Sequence, residues 1–126
     1  MRVVDSRTLP DIAMRDGMTG RWLVASEHGA KDVSVLRNWI EPGIAAPRHS
    51  HDQEEIILVE QGAIWVEVEG VRVEAAQGRT VIIPARAIHS WGTLQAKAQL
   101  LFIWPTADPF APGRSTYIDG EPPTVA

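Results

Sequence analysis

Cysteine is absent from the chain, which excludes a disulfide framework, a thiolate metal site and a thiol nucleophile. Any metal must then be held by histidine and carboxylate. Long hydrophobic runs are also missing: the longest apolar stretches, such as 100–105, fall far short of the roughly 20 residues that span a bilayer as a helix. The opening MRVVDSRTLPDIAMRDGMTG has no continuous apolar segment of the secretory kind, so a cytoplasmic protein with no membrane contact is expected. No charge of one sign dominates. The formal net charge of -4 comes from interspersed acids and bases, which leaves no electrostatic footprint for nucleic acid. Helix-period segments of useful length are lacking as well. Phenylalanine and tyrosine are scarce, at two and one, whereas tryptophan occurs five times.

What is present reads as one globular domain of 126 residues with 44% hydrophobic content, large enough to bury a core of its own. Short runs of β-branched and aromatic residues alternate with Gly/Pro turns, which predicts about ten strands and an all-β sandwich or barrel. The clearest run is 63–69, where Ile64, Val66 and Val68 share one face and Trp65, Glu67 and Glu69 the other. Further strands are predicted over 21–26, 33–40, 55–60, 71–75, 80–84, 89–93 and 98–104, with a short extended piece over 47–51. Three regions follow: an N-terminal strand (2–4) and irregular arm over 1–20, a barrel over 21–104, and a tail over 105–126. The tail holds five of the nine prolines; its Phe110, Tyr117 and Ile118 predict packing on the barrel or on a partner subunit rather than disorder.

The stretch HSHDQEEIILVEQG, residues 49–62, carries the chemistry. His49 and His51 are separated by one residue, so an extended backbone points both to one face. After a polar turn Glu55 can bring an oxygen to the same point. Two neutral imidazoles and a carboxylate suit a borderline divalent cation such as Zn, Fe, Ni, Mn or Cu. His89 becomes a natural fourth ligand if the two hairpins face each other.

Together these positions resemble the cupin superfamily. Residues 43–62 read G-x5-H-x-H-x3-E-x6-G through Gly43, His49, His51, Glu55 and Gly62, as in the first cupin motif. Residues 78–93 resemble the second, G-x5-P-x-G-x2-H-x3-N, through Gly78, Pro84 and His89, with Arg86 in place of the usual Gly and Thr93 in place of Asn. The short connector between the motifs is typical of small microbial single-domain members. The resemblance implies a jelly-roll β-barrel (a double-stranded β-helix) with one metal inside, held by His49, His51, Glu55 and His89. Open coordination positions would remain for water, substrate or dioxygen.

For a small-molecule pocket the candidate lining residues are Trp91, two residues from His89 on the same face, with Trp39 and Gln53. Trp22 and Trp104 are expected to pack in the core. Outward-facing Trp65 suggests an interface, and members of this size are commonly homodimers. Arg48 and Arg86 are candidates for steering an anion or for surface ion pairs, and His28 is expected at the surface.

The leading expectation is a metal-dependent enzyme acting on a small organic molecule. It resembles the Fe(II) cupin dioxygenases that cleave carbon–carbon bonds, with His49 and Glu55 in the reacting shell and Glu55 a possible proton acceptor. Redox-neutral catalysis by an isomerase, epimerase, lyase or decarboxylase is the alternative, and ligand binding without catalysis the third reading.

Overall fold

Period-two alternation becomes sheet along most of the computed structural model, which describes residues 1–126. Eleven strands form: β1 (Ile12–Arg15), β2 (Met18–Val24), β3 (Ser34–Ile40), β4 (His49–His51), β5 (Glu55–Gln61), β6 (Ala63–Val68), β7 (Val71–Ala76), β8 (Thr80–Ile83), β9 (His89–Thr93), β10 (Ala98–Trp104) and β11 (Ser115–Tyr117). One sheet runs β1-β2-β3-β10-β5-β8 and the other β11-β4-β9-β6-β7, with every pairing antiparallel. The strand pattern predicts an all-β sandwich or barrel, and the two antiparallel sheets form the jelly-roll barrel that the cupin resemblance implies.

The core lies between the two sheets and follows from the pleat. On β3 the buried positions are Ser34, Leu36, Asn38 and Ile40, and on β10 they are Ala98, Leu100, Phe102 and Trp104. From the opposite sheet Ile64, Val66 and Trp91 complete the apolar filling. Truncating a side chain as enclosed as Leu36 or Leu100 would cost about 2–5 kcal/mol, the transfer loss plus the cavity left behind. Trp22 and Trp104 are buried as expected, with ring centroids 6.0 Å apart.

The strand expected over 2–4 does not form; Met1 and Val3 are exposed there. A β-rich run without a partner strand has nothing to pair with. Asp5 instead caps a 3-10 turn over Ser6–Thr8 by accepting from the Arg7 amide at 3.0 Å. The first sheet begins at β1, inside the expected arm, and the strand expected over 21–26 starts earlier, at Met18.

The Pro-rich segment is tied down along its length. β11 pairs with β4, and the Thr124 amide donates to Met14 at 2.9 Å. The Trp22 indole donates to Val125 at 2.9 Å. Phe110 meets Trp22 and Trp104 edge-on.

Candidate metal centre

Four side chains from three strands meet inside the barrel. β4 presents His49 and His51 inward on either side of Ser50, so both histidines are buried while the serine is not. β9 runs antiparallel to β4 with His89 directly opposite His49, and this cross-strand pairing brings their ring centroids to 4.2 Å. Glu55 opens β5, which belongs to the facing sheet. One ligand-type atom from each of the four lies within 4.8 Å of the other three.

The outer ring nitrogens set the tautomers. His49 Nδ1 lies 2.7 Å from the Pro47 carbonyl and His89 Nδ1 2.9 Å from the Ala87 carbonyl. A carbonyl only accepts, so both Nδ1 atoms carry hydrogen and both Nε2 atoms present a lone pair. His51 Nδ1 lies 2.7 Å from Ser115 Oγ, whose own hydrogen is donated to the Pro109 carbonyl at 2.9 Å. The serine must therefore accept, and His51 takes the same tautomer. Partners of this kind orient imidazoles for a metal.

Inside, the polar atoms face one another without hydrogen bonds. His89 Nε2 stands 2.7 Å and His51 Nε2 3.7 Å from the Glu55 carboxylate. Yet His51 Nε2, His89 Nε2 and Glu55 Oε2 are buried without a well-formed hydrogen-bond partner; the short His89 contact has the distance of a bond but not its angles. Three imidazole lone pairs and a carboxylate converging in a buried place are a cost unless a cation sits among them. The donor set fits a divalent transition metal.

Charge preferences agree. Burial pushes the His49 imidazole down to about 4, and the neighbouring His89 adds to this. Burial also lowers His51, with Glu55 opposing. At His89 burial acts downward, but the contact with Glu55 outweighs it and the pKa is raised. Burial alone would push the Glu55 carboxyl up; the contact with His89 and the charges of the three imidazoles hold it below its usual range. A carboxylate and mostly neutral imidazoles are the ligand forms a metal needs.

A cavity beside the four residues is lined by Met14, Met18, Leu36, Trp91, Phe102 and Trp104, with Arg15, Asn38, Phe110, Tyr117 and Pro123. Its free space is about 30 Å³, room for no more than a few waters. Tyr117 lies face to face with His49, ring centroids 4.7 Å and planes 9° apart. Its hydroxyl pKa is raised by burial, with Arg15 opposing.

Trp91 is in this wall, but Trp39 is not. The alternation on β3 turns Asn38 inward and Trp39 outward, where the Trp39 indole donates to Gln99 at 3.1 Å and the Arg21 guanidinium covers its ring. Gln53 sits half-buried in the turn between β4 and β5, outside the cavity wall. Arg48 forms a surface ion pair with Asp119. Arg86 is exposed with φ +66°, the left-handed conformation that explains why glycine is usual at this motif position. Thr93 fills the asparagine position by bonding the 41–44 loop: its hydroxyl donates to the Glu41 carbonyl at 2.7 Å and accepts from the Ile44 amide at 3.0 Å. Trp65 faces outward but is covered by the Arg72 guanidinium at 4.0 Å.

Sequence reasoning missed Ser115, Arg15 and Asn38. Ser115 is one hydroxyl in an irregular segment, and the inward turn of Arg15 comes from a register irregularity in β1. Asn38 is one step from the tryptophan that drew attention instead.

A family model described as Cupin domain matches residues 39–104, more than half of the sequence, and the chain belongs to that family. Among solved structures, it is similar to the polyketide cyclase RemF from Streptomyces resistomycificus at 20% identity and a TM-score of 0.78, over 96% of this chain and 87% of that one. It is also similar to oxalate decarboxylase from Bacillus subtilis at 16% identity and a TM-score of 0.79, over 91% of this chain and 31% of that one. The chain thus spans about a third of the decarboxylase's length. At such identities the likeness establishes fold alone. No curated protein sequence matches the chain.

Proposed function

We propose that the protein is a metal-dependent enzyme acting on a small organic molecule, with an Fe(II)-type dioxygenase as the leading chemistry. The observation that carries this reading is the buried convergence of His49, His51, Glu55 and His89 on one point beside an aromatic-walled cavity. Bound there, a divalent metal supplies Lewis acidity and, as iron, a redox centre for dioxygen; Mn, Zn, Ni and Cu are the alternatives for this donor set.

The chain's own residues do the rest. Pro47, Ala87 and Ser115 hold the three imidazoles in one tautomer. Trp91, Phe102 and Phe110 exclude water from the reacting end of the cavity. Glu55, with its carboxyl ionised in a buried place, is the group in position to take a proton from a bound substrate.

A second reading is redox-neutral catalysis by an isomerase, epimerase, lyase or decarboxylase; proteins of similar fold include a polyketide cyclase and an oxalate decarboxylase. Elemental analysis of the purified protein, followed by anaerobic Fe(II) loading and measurement of O₂ uptake, separates the two. Near-stoichiometric iron with substrate-stimulated O₂ consumption supports the dioxygenase; metal without oxygen use supports the second reading. A protein that cannot be loaded with any metal overturns both and leaves small-molecule binding.

The reading extends to a cytoplasmic homodimer. Val71, Val73 and Ile82 are exposed apolar residues on β7 and β8, one edge strand of each sheet, and such edges invite pairing with a second copy. Sedimentation of wild type and Val73→Lys is the test, with a monomeric variant and a dimeric wild type expected.

A further inference from the structure

The cavity wall holds one arginine with no carboxylate at ion-pair distance. Four arginines are partly buried: Arg15, Arg21, Arg37 and Arg114. Arg21 pairs with Asp11, Arg37 with Glu60 and Arg114 with Asp52. Arg15 has no carboxylate partner. Its guanidinium carbon lies 5.7 Å from the centre of the Tyr117 ring, and the same ring stacks on His49. A cation–π contact does not neutralise the charge.

The backbone is shaped to put Arg15 there. Simple alternation would send Met14 and Arg15 to opposite faces of β1. Pairing of β1 with β2 instead shifts register between Ala13 and Arg15, and consecutive side chains Met14 and Arg15 both line the cavity. A bulge of this kind re-aims a side chain at the expense of a ladder bond.

Asn38 gives an independent sign of a ligand. It lines the same cavity, is 3% exposed, and its Oδ1 is buried without a hydrogen-bond partner. An unpaired buried amide oxygen is costly, and a ligand that bonds it would offset that cost. The opposite strand makes room for the amide: Gly20 pairs with Asn38, and a Cβ on Gly20 would stand 2.7 Å from Asn38 Oδ1 and collide with Met14 Sδ. An amide offers both donors and an acceptor, which suits a hydroxyl or carbonyl oxygen.

We propose that Arg15 and Asn38 form the substrate-anchoring subsite, and that the substrate is a small carboxylate bearing a second oxygen function, its charge held by Arg15 and its hydroxyl or carbonyl by the Asn38 amide. This deepens the metal-enzyme reading and rests on it. A divalent ion with Glu55 as its one carboxylate ligand leaves a net positive centre, and Arg15 adds to it. The remaining wall is apolar or aromatic apart from Asn38 and Tyr117, so an anion is the complementary occupant. With about 30 Å³ free, the segment bearing Phe110, Tyr117 and Pro123 must yield as such a ligand enters.

The test uses the full chain loaded with Co(II), whose absorption spectrum reports the metal site independently of turnover. Valerate and its neutral amide, valeramide, are titrated by calorimetry. The expected result is at least tenfold tighter binding of valerate. Arg15→Gln removes most of that preference while cobalt content, spectrum and valeramide affinity hold; Arg15→Lys restores part of it. Asn38→Leu weakens 4-hydroxyvalerate severalfold but leaves plain valerate unchanged. Equal affinities for valerate and valeramide in the wild type, binding of neither, or an equal loss of both in Arg15→Gln overturns the proposal while cobalt binding stands. Failure to take up cobalt would instead overturn the metal reading beneath it.

Discussion

β4 has a different neighbour on each side, and the two do different work. On one side β9 sets His89 against His49 and completes the ligand group. On the other, β11 sets Ser115 against His51 and Tyr117 against His49 and supplies no ligand at all. The first neighbour decides that a metal can bind; the second decides how the imidazoles are held and what can reach them. Ligands can be arranged by two short motifs on adjacent strands, but orientation and cover are drawn from a segment well outside those motifs.

Removing a member of the ligand side should have the largest effect. His49→Ala and His89→Ala are expected to fall from near-stoichiometric metal to almost none by elemental analysis; full occupancy in either would break the assignment. On the cover side, Ser115→Ala removes the acceptor that fixes His51. Loss of such an outer partner lowers metal affinity about 10–100-fold, to be read by competition with a chelator. An unchanged affinity would mean that β11 is cover alone.

The turn that closes the first motif sharpens the contrast further. Gly62 has φ +78°, and a Cβ there would stand 2.5 Å from the Lys97 carbonyl. Gly62→Ala should cost roughly 2 kcal/mol or more, from left-handed strain plus the clash, measured by denaturant unfolding.

Acid should weaken the metal-free protein. An unfolded chain protonates His49 near its ordinary value of 6.5, while the folded one does so only near 4. Between those values the unfolded state binds the extra proton, and stability falls as pH drops. His51 acts in the same direction and His89, raised by Glu55, against it. A melting temperature that declines from pH 6.5 toward 4, less steeply after metal loading, is the expected outcome; a rise on acidification would contradict it.

The smallest effect is at Arg86, whose φ of +66° is left-handed but whose side chain is exposed. Arg86→Gly relieves strain of about 1–2 kcal/mol and gives back part of it as backbone entropy, for a net gain of roughly 0.5 kcal/mol in unfolding free energy.

Much of this was legible in the residues. The parity of His49 and His51, the reach of Glu55 across a short turn and the order of strands over 33–104 follow from local periodicity and turn chemistry. What stayed hidden depends on partners distant in the chain. The outward turn of Trp39 and the inward turn of Asn38 could not be read locally, because the inner face of β3 is fixed only by its pairing with β2 and β10. The bulge that turns Arg15 inward exists only once β1 has paired. The role of Ser115 needs a strand pairing across the barrel's edge, and no local pattern in a Pro-rich stretch announces it.

The bond between His51 and Ser115 joins residues 64 positions apart, and this has a consequence for biosynthesis. A ribosome that has released the whole first motif must still add the connector, the second motif and β10 before the serine exists. During that interval the histidine can adopt either tautomer, and a cation that arrives early meets a site whose third imidazole is not yet held. Correct metal loading should therefore be an event of the finished polypeptide, and proteolytic loss of the segment carrying β11 would return the protein to that earlier, less selective condition.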